Sequence, residues 1–144
     1  MKYMLFTLFA VLVFSCTRQN QKYIDTSPGN CENGITISAH KFSQASSNTF
    51  RITKAVIKGD CLEITITASG CNGKSWNAAL VTNGAVAESY PPQMFLKILF
   101  TNTELCLAMH TRTFSYNLSP LKVQGTNKLA LNLQGYDGSL LYEY

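Results

Sequence analysis

Residues 61–71 read CLEITITASGC, an alternation of apolar and polar side chains bounded by two cysteines. The apolar members are every second residue from Leu62 to Ala68, and Glu63, Thr65 and Thr67 lie between them. Because successive side chains of a strand point to opposite faces, this period predicts a strand that is buried on one face only. The segment therefore predicts a β-sheet covered by a second layer.

The same alternation recurs along the rest of the chain. Gly59-Asp60 and Asn83-Gly84 supply turn signals between such segments. Further strands are predicted at Ile35–Ile37, Phe50–Ile57, Trp76–Leu80, Met94–Phe100, Leu105–Tyr116, Leu129–Leu133 and Leu140–Tyr144. No long helical period is visible. We therefore expect an all-β domain, an immunoglobulin-like or related Greek-key β-sandwich of about 7–8 antiparallel strands.

The beginning of the chain carries an export signal. Lys2 precedes the apolar run Met4–Phe14, whose 11 residues are fewer than the roughly 20 needed to span a bilayer. Ser15 and Cys16 follow, and Val13-Phe14-Ser15-Cys16 resembles a lipobox. We expect a lipoprotein signal peptide over 1–15, a lipidated Cys16 with a flexible tether over 16–30, and one β-sandwich domain over 31–144. An ordinary signal peptide cut elsewhere, with Cys16 removed or free, is the alternative.

The distribution of charged residues bears on the location of the protein and on whether it binds nucleic acid. Removing Lys2 with the signal leaves 11 of the 12 basic residues against 8 acidic ones, and the bases form no cluster. Nucleic-acid binders usually show a clustered basic face, so no nucleic-acid partner is expected. Residues 17–22 contain no acidic residue, which favours the periplasmic side. We expect a membrane-anchored lipoprotein of the cell envelope, on the outer membrane.

Four cysteines remain beyond Cys16, and an even number in an exported chain predicts two disulfides. Cys61 and Cys71 lie at opposite ends of one strand, roughly 30 Å apart, whereas a disulfide needs Cα atoms about 4–7 Å apart. With strands running up and down, Cys31 lies beside Cys61 and Cys106 beside Cys71. We expect these two pairs. A zinc site is not expected, because the chain has no closely spaced pair of cysteines.

Nothing in the sequence predicts catalysis. His40 and His110 lie in or beside predicted strands, and the carboxylates fall mainly in turns. We expect a protein that is not an enzyme and that has no cofactor and no metal. A deep polar pocket uniting His110 with a carboxylate would instead favour an enzyme.

Two features favour binding. The segment Glu88–Gln93 contains Tyr90, Pro91 and Pro92, and the two prolines prefer an extended path. It is either a rigid crossover between the two sheets or a partner loop that presents Glu88 and Tyr90. Separately, aromatic residues form either a stacking platform for sugars or part of the core: Trp76, Tyr90, Tyr116, Tyr136 and Tyr142.

Several of these motifs occur together, and they define a resemblance. They are the lipobox, Gly70-Cys71, Glu88–Gln93, Leu105–Ala108, Leu118–Leu121 and the terminal Leu141–Tyr144. With them the chain resembles uncharacterised small β-sandwich lipoproteins of anaerobic, gut-type Gram-negative bacteria, over the signal and roughly residues 59–144. The resemblance implies a β-sandwich and an envelope location. It implies no activity.

The expected function is therefore binding in the cell envelope. We expect a membrane-anchored lipoprotein acting as a non-enzymatic interaction module, which meets a protein partner through sheet edges or through the Glu88–Gln93 loop. The alternatives are a glycan-binding accessory lipoprotein that uses exposed aromatics, and a small hydrolase inhibitor that inserts a rigid loop into an active site.

Overall fold

The computed structural model describes residues 31–144. The predicted signal peptide, the predicted lipidation site Cys16 and the tether 16–30 lie outside the described residues. No helix among residues 31–144 is long and apolar enough to cross a membrane.

The described residues form two β-sheets. The smaller sheet has three strands, β2 (Arg51–Lys58), β3 (Cys61–Ser69) and β7 (Met109–Asn117). The larger sheet has six, β1 (Thr36–Ile37), β4 (Asn77–Thr82), β5 (Val86–Ala87), β6 (Gln93–Thr101), β8 (Lys128–Leu133) and β9 (Leu140–Glu143). A short helix, α1 (Ala39–Gln44), and a 3₁₀ turn, Ser119–Leu121, complete the list. The all-β, two-sheet fold is confirmed.

The order of strands explains why not every pair is antiparallel. The smaller sheet runs β2-β3-β7 and is antiparallel throughout. The larger runs β1-β4-β6-β8-β9, with β5 also paired to β6. In it β1 pairs with β4 and β6 pairs with β8 in parallel, whereas only antiparallel pairs were expected. Between the members of each parallel pair the chain passes through the other sheet, and a return by crossover leaves the two strands parallel.

Strand β3 supplies the middle of the core, as its alternation predicts. Leu62, Ile64 and Ile66 are completely buried, and Ala68 is nearly so. They face buried side chains of the larger sheet, among them Leu80, Leu96, Ile98 and Leu129. Burying an aliphatic side chain of this size stabilises the folded state by about 1.5–3 kcal/mol relative to leaving it in water.

Two disulfides close the sandwich, one at each end of β3. Cys31 bonds to Cys61, with Cα atoms 5.6 Å apart, and Cys71 bonds to Cys106, with Cα atoms 4.8 Å apart. These are the pairs that strand geometry predicts. Because β3 has nine residues, the two disulfides are separated by about 30 Å.

Asp60 binds side chains from three places in the chain at the end of the sandwich that holds the Cys31–Cys61 disulfide. Its carboxylate accepts hydrogen bonds from the Tyr142 hydroxyl, from Ser119 Oγ (3.1 Å) and from Lys122 Nζ (3.2 Å). The hydrogen bond from Tyr142 is the main cause that lowers the pKa of Asp60, and Lys122 and Ser119 lower it further against a smaller effect of burial. The β2–β3 turn is thereby joined to β9 and to the 3₁₀ turn.

Three further expectations differ from the structure. The crossover interpretation of Glu88–Gln93 is wrong, because β4 and β6 are neighbours in one sheet and residues 83–92 connect them as a hairpin. The strand expected over Leu105–Tyr116 begins at Met109. Helix α1 was not expected; it begins after Ser38, whose Oγ accepts a hydrogen bond from the Lys41 amide, and six residues are too few to show a period.

The Tyr116 hydroxyl joins the two sheets through the core. It is fully buried on β7 and donates a hydrogen bond of 2.6 Å to the Ala78 carbonyl on β4. Burial raises the pKa of Tyr116, so the hydroxyl stays a neutral donor. We expect Tyr116→Phe to lower the free energy of unfolding by about 1 kcal/mol, because a buried carbonyl loses its partner. Urea denaturation measures this. Tyr90→Phe, at an exposed position, is the control, and equal stability of Y116F and the wild type would contradict the prediction.

Candidate functional site

The segment between β6 and β7 exposes large apolar side chains. We call residues 102–108 the tip loop. Leu105 is 94% exposed and Leu107 is 90% exposed, and Met109, the first residue of β7, is 65% exposed. Single exposed apolar residues are ordinary on protein surfaces, but several close together mark interaction sites. The tip loop therefore has the composition of a binding surface.

The tip loop is held in place at several points. Cys106 is bonded to Cys71 in the middle of the loop. Asn102 donates a side-chain hydrogen bond of 2.7 Å to the Ser69 carbonyl, and its Oδ1 accepts one from the Glu104 amide. The Gly70 amide donates to the Ala108 carbonyl at 2.8 Å. The exposed leucines are thus carried by backbone that is fixed on both sides.

Glu104 organises the segment that faces the tip loop. Its Oε2 accepts backbone hydrogen bonds from Cys71 (2.6 Å), Asn72 (3.0 Å) and Gly73 (2.9 Å). Its Oε1 accepts from the amide (3.2 Å) and the hydroxyl (3.0 Å) of Ser75. Desolvation raises the pKa of this carboxyl, but the hydrogen bonds from Gly73, Asn72 and Ser75 outweigh it and lower the pKa to about 2. One carboxylate therefore anchors four backbone amides of the segment from Cys71 to Ser75.

Gly70 makes this arrangement possible. A Cβ at Gly70 would overlap the Glu104 carboxylate and contact the Trp76 ring. Gly73 has a positive φ of 68°, a conformation that glycine adopts without strain. The Gly70-Cys71 motif thus allows a carboxylate to approach the backbone closely.

Glu104, Leu105 and Leu107 are not among the site residues that the sequence predicts. Glu104 falls in a predicted turn, and the two leucines fall in a predicted strand. A signal was nevertheless present. Phe114 and Tyr116 face the core, and extending their period of two toward the N-terminus places odd-numbered residues on the outward face. Leu105 and Leu107 then fall on the side where polar residues are expected.

The predicted partner loop lies at the other end of the sandwich. Tyr90 is fully exposed and Glu88 is exposed, whereas Pro91 and Pro92 are half-buried. Ser89 Oγ donates a hydrogen bond of 2.7 Å to the Pro91 carbonyl and accepts one of 3.0 Å from Gln93 Nε2. This loop enters β6, whose nine residues separate it by about 30 Å from the tip loop. The two loops are therefore separate surfaces.

The predicted aromatic platform is not formed. Trp76, Tyr116 and Tyr142 are buried, and Tyr136 is half-buried with its ring against Gly138. Tyr90 alone among the five candidates is exposed. The other four rings belong to the core because they lie on the inner faces of strands or pack against them.

A groove lies on the outer face of the larger sheet. Its volume is about 740 Å³, within the range of small-molecule sites. Rings and polar groups line it together, among them Phe42, Phe95, Lys97, Asn132, Tyr136 and Asp137. Lys97 Nζ lies 4.5 Å from the centre of the Phe42 ring, so this charge is engaged with a wall of the groove.

His110, the histidine of the enzyme alternative, is not joined to a carboxylate through its Nε2 in the described part of the chain. His110 is half-buried and its Nε2 has no hydrogen-bond partner among residues 31–144. Arg112, two residues on, donates a hydrogen bond of 2.6 Å to the Gly73 carbonyl. Within the same residues no three His, Cys, Asp or Glu side chains are placed to hold a metal ion.

Comparisons with known proteins support the fold. No family model and no curated protein matches the sequence. The crystal structure of a protein of unknown function, DUF1344, from Bacteroides vulgatus is similar, with a TM-score of 0.51 and 12% identity over 77% of this chain and 54% of that one. A NigD-like immunity protein from Bacteroides caccae is also similar, with a TM-score of 0.51 and 9% identity over 76% and 56%. At these identities the likeness shows a shared fold, and this chain spans about half of each neighbour.

Glu104 makes the loops at this end sensitive to acid. Its pKa lies near 2 in the folded protein and near 4.5 in an unfolded chain, so its contribution to stability is complete above pH 4.5 and is lost as the pH falls toward 2. We expect Glu104→Gln to be less stable than the wild type at neutral pH and to lose less stability between pH 4.5 and pH 2. Thermal unfolding across this range measures both.

One control variant and one further carboxylate sharpen the acid test. Glu88→Gln removes an exposed carboxylate and is expected to leave the profile unchanged. Asp60, whose pKa is also lowered, accounts for acid sensitivity that remains in E104Q. Parallel profiles for E104Q and the wild type would show that Glu104 does not anchor the loop.

Proposed function

We propose that this chain is a lipoprotein of the cell envelope, anchored through Cys16 on the periplasmic side of the outer membrane, and that it binds a protein partner without catalysis. The observation that carries the proposal is the tip loop, where Leu105 and Leu107 are almost fully exposed on fixed backbone. The membrane and the partner are the two contacts of the molecule in this proposal.

Burial of the exposed leucines would favour the binding of a partner to the tip loop. Covering a leucine side chain stabilises a complex by about 1.5–3 kcal/mol relative to its exposed state. Ordering a flexible loop would offset part of this gain, but Cys106 and Glu104 already hold the backbone. The loop therefore loses little conformational entropy when it binds a partner.

The position of the loop suits an anchored protein. Cys31, the first described residue, is bonded to Cys61 at the start of β3. The tip loop lies at the other end of that strand, about 30 Å away. A domain anchored ahead of Cys31 presents Leu105 and Leu107 away from its point of attachment.

The fold neighbours are compatible with a binding role. One is an immunity-type protein and the other has no established function, and neither is described as an enzyme. The inhibitor alternative belongs to the same class of function, since it differs only in taking a hydrolase as the partner. The predicted loop of Glu88, Tyr90, Pro91 and Pro92 remains a second contact surface in this proposal, with Tyr90 as its exposed ring.

Site-specific photo-crosslinking tests the proposal. A photoreactive amino acid replaces Leu105, Tyr90 or, as an exposed control, Gln124 in the full-length lipoprotein, and intact cells are irradiated. We expect one discrete protein adduct from position 105 and none from position 124. The adduct should disappear when Leu107→Asp is added, because a charge on the contact surface opposes its burial. Equal labelling from positions 105 and 124, or none from 105, would contradict the proposal.

The groove supports a second candidate function, the binding of a neutral glycan. Phe95 is 49% exposed there, and the amides of Asn132 and Gln134 lie along the same wall. Rings and planar amides are groups that can stack on and hydrogen-bond to sugars. We expect Phe95→Ala to weaken binding of maltohexaose or chitohexaose at least tenfold in calorimetric titrations. Leu105→Ala should leave it unchanged, and the absence of sugar binding by the wild type would exclude this candidate.

A further inference from the structure

Within residues 31–144, strand β7 has an edge beside the tip loop that no other strand covers, and we call it the free edge. We propose that the protein partner adds to the domain as an extended strand along this edge, pairing with Met109, Thr111 and Thr113. The inference rests on the proposed function and specifies the chemistry of the partner, which is an uncharged segment with apolar side chains at alternate positions. Strand addition to an exposed sheet edge is an established mode of peptide recognition by proteins.

The hydrogen bonds of β7 show which backbone groups face outward. The Ala108 carbonyl accepts from Gly70, toward β3. On the other side, the Ser115 carbonyl accepts from the Asn33 amide (3.0 Å) and the Asn117 amide donates to the Asn33 carbonyl (2.9 Å). Odd-numbered residues therefore direct their amides and carbonyls away from β3. Among residues 31–144, Asn33 pairs only beside Tyr116, and the edge from Met109 to Thr113 has no strand next to it.

The other described edges carry features that prevent pairing. Strand β1 has only two residues. Strand β2 has an irregular register between Ile52 and Lys54 and carries further cationic residues, and β9 has four residues and contacts β2. Strand β7 pairs with β3 through nine consecutive positions without a bulge. Long, regular edges are those that accept another strand.

The surroundings of the free edge define its occupant. Asn33 already pairs with this edge in parallel, so the edge is shaped for strand addition and a partner strand would continue an existing arrangement. The outward-facing side chains Met109, Thr111 and Thr113 are neutral and exposed, and Leu105 and Leu107 come just before them. The charge of Arg112 between them is directed to the Gly73 carbonyl. Five residues extend about 16 Å. The site therefore accommodates about five residues of an extended segment whose apolar side chains meet the leucines and Met109.

A second copy of this chain suits the edge less well. A two-fold antiparallel pairing centred on Thr111 would place Leu107 opposite Ser115 of the second copy. Asn33 already occupies that position in each copy. The two Asn33 segments would limit the contact to the same five residues, and each would crowd the other copy's tip loop.

Amide exchange tests the edge with a defined probe. The full-length lipoprotein in detergent is titrated with acetyl-Thr-Val-Thr-Val-Thr-Val-amide, and a matched peptide with proline for each valine is the control. We expect the amides of Met109, Thr111 and Thr113 to exchange quickly in the free protein and at least tenfold more slowly with the valine peptide. Amides already protected without peptide, whether by residues 1–30 or by a second copy, would overturn the inference, as would unchanged exchange.

Substitutions separate this inference from the proposed function. Thr113→Lys places a charge on the free edge, and Thr53→Lys places the same charge on β2 as the control. Thr111→Pro removes an outward amide, which an edge strand tolerates, and a melting curve confirms that each variant folds. We expect T113K and T111P to weaken peptide binding at least tenfold and to abolish the crosslink from position 105. If that crosslink persists in T113K, strand addition is wrong and the proposed function stands. If the wild type gives no crosslink, the proposed function is wrong, and the peptide titration alone then shows whether the edge of β7 accepts a strand.

Discussion

The structure depends on a central strand that is fixed at both ends. Leu62, Ile64 and Ile66 of β3 form the middle of the core, and a disulfide leaves from Cys61 on one side and from Cys71 on the other. Each disulfide ties β3 to a segment that the sheets alone would hold loosely. A small sandwich has limited apolar surface to bury, so such cross-links contribute a large share of its stability.

Each end of the sandwich pairs its disulfide with one carboxylate. Asp60 collects hydroxyl and ammonium donors from the C-terminal half of the chain, and Glu104 collects backbone amides from the turn after β3. In both cases hydrogen bonds favour the charged carboxylate and lower its pKa. Loops that lack a regular ladder of hydrogen bonds thus acquire one polar centre each. The centre at Glu104 has an additional result, since it holds the apolar tip loop in one position.

Much of the fold could be predicted from the sequence, because it rests on local patterns. The period of two in β3 defines a buried face, and the length of that strand excludes a bond between Cys61 and Cys71. Strands that run up and down then lead to the observed disulfides. The path between strands could not be predicted in this way. Two prolines favour an extended segment but do not specify which strands it joins, so the sequence is equally consistent with a crossover between sheets and with the observed hairpin between β4 and β6.

The candidate site was harder to predict, since its members are distant in sequence. Glu104 lies about thirty residues from the amides that it binds, and nothing local distinguishes it from other acidic turn residues. Leu105 and Leu107 fit a strand by composition, and only the phase of the alternation shows that they face water.

The Cys71–Cys106 disulfide also makes the order of the tip loop depend on the redox state of the molecule. While both thiols are reduced, the tip loop keeps its hydrogen bonds through Asn102 and Glu104 but lacks its covalent attachment, so it samples more conformations. Oxidation removes this additional conformational freedom before any contact is made. In a reducing medium the tip loop therefore has more conformational freedom than in the oxidised protein, although its sequence is the same.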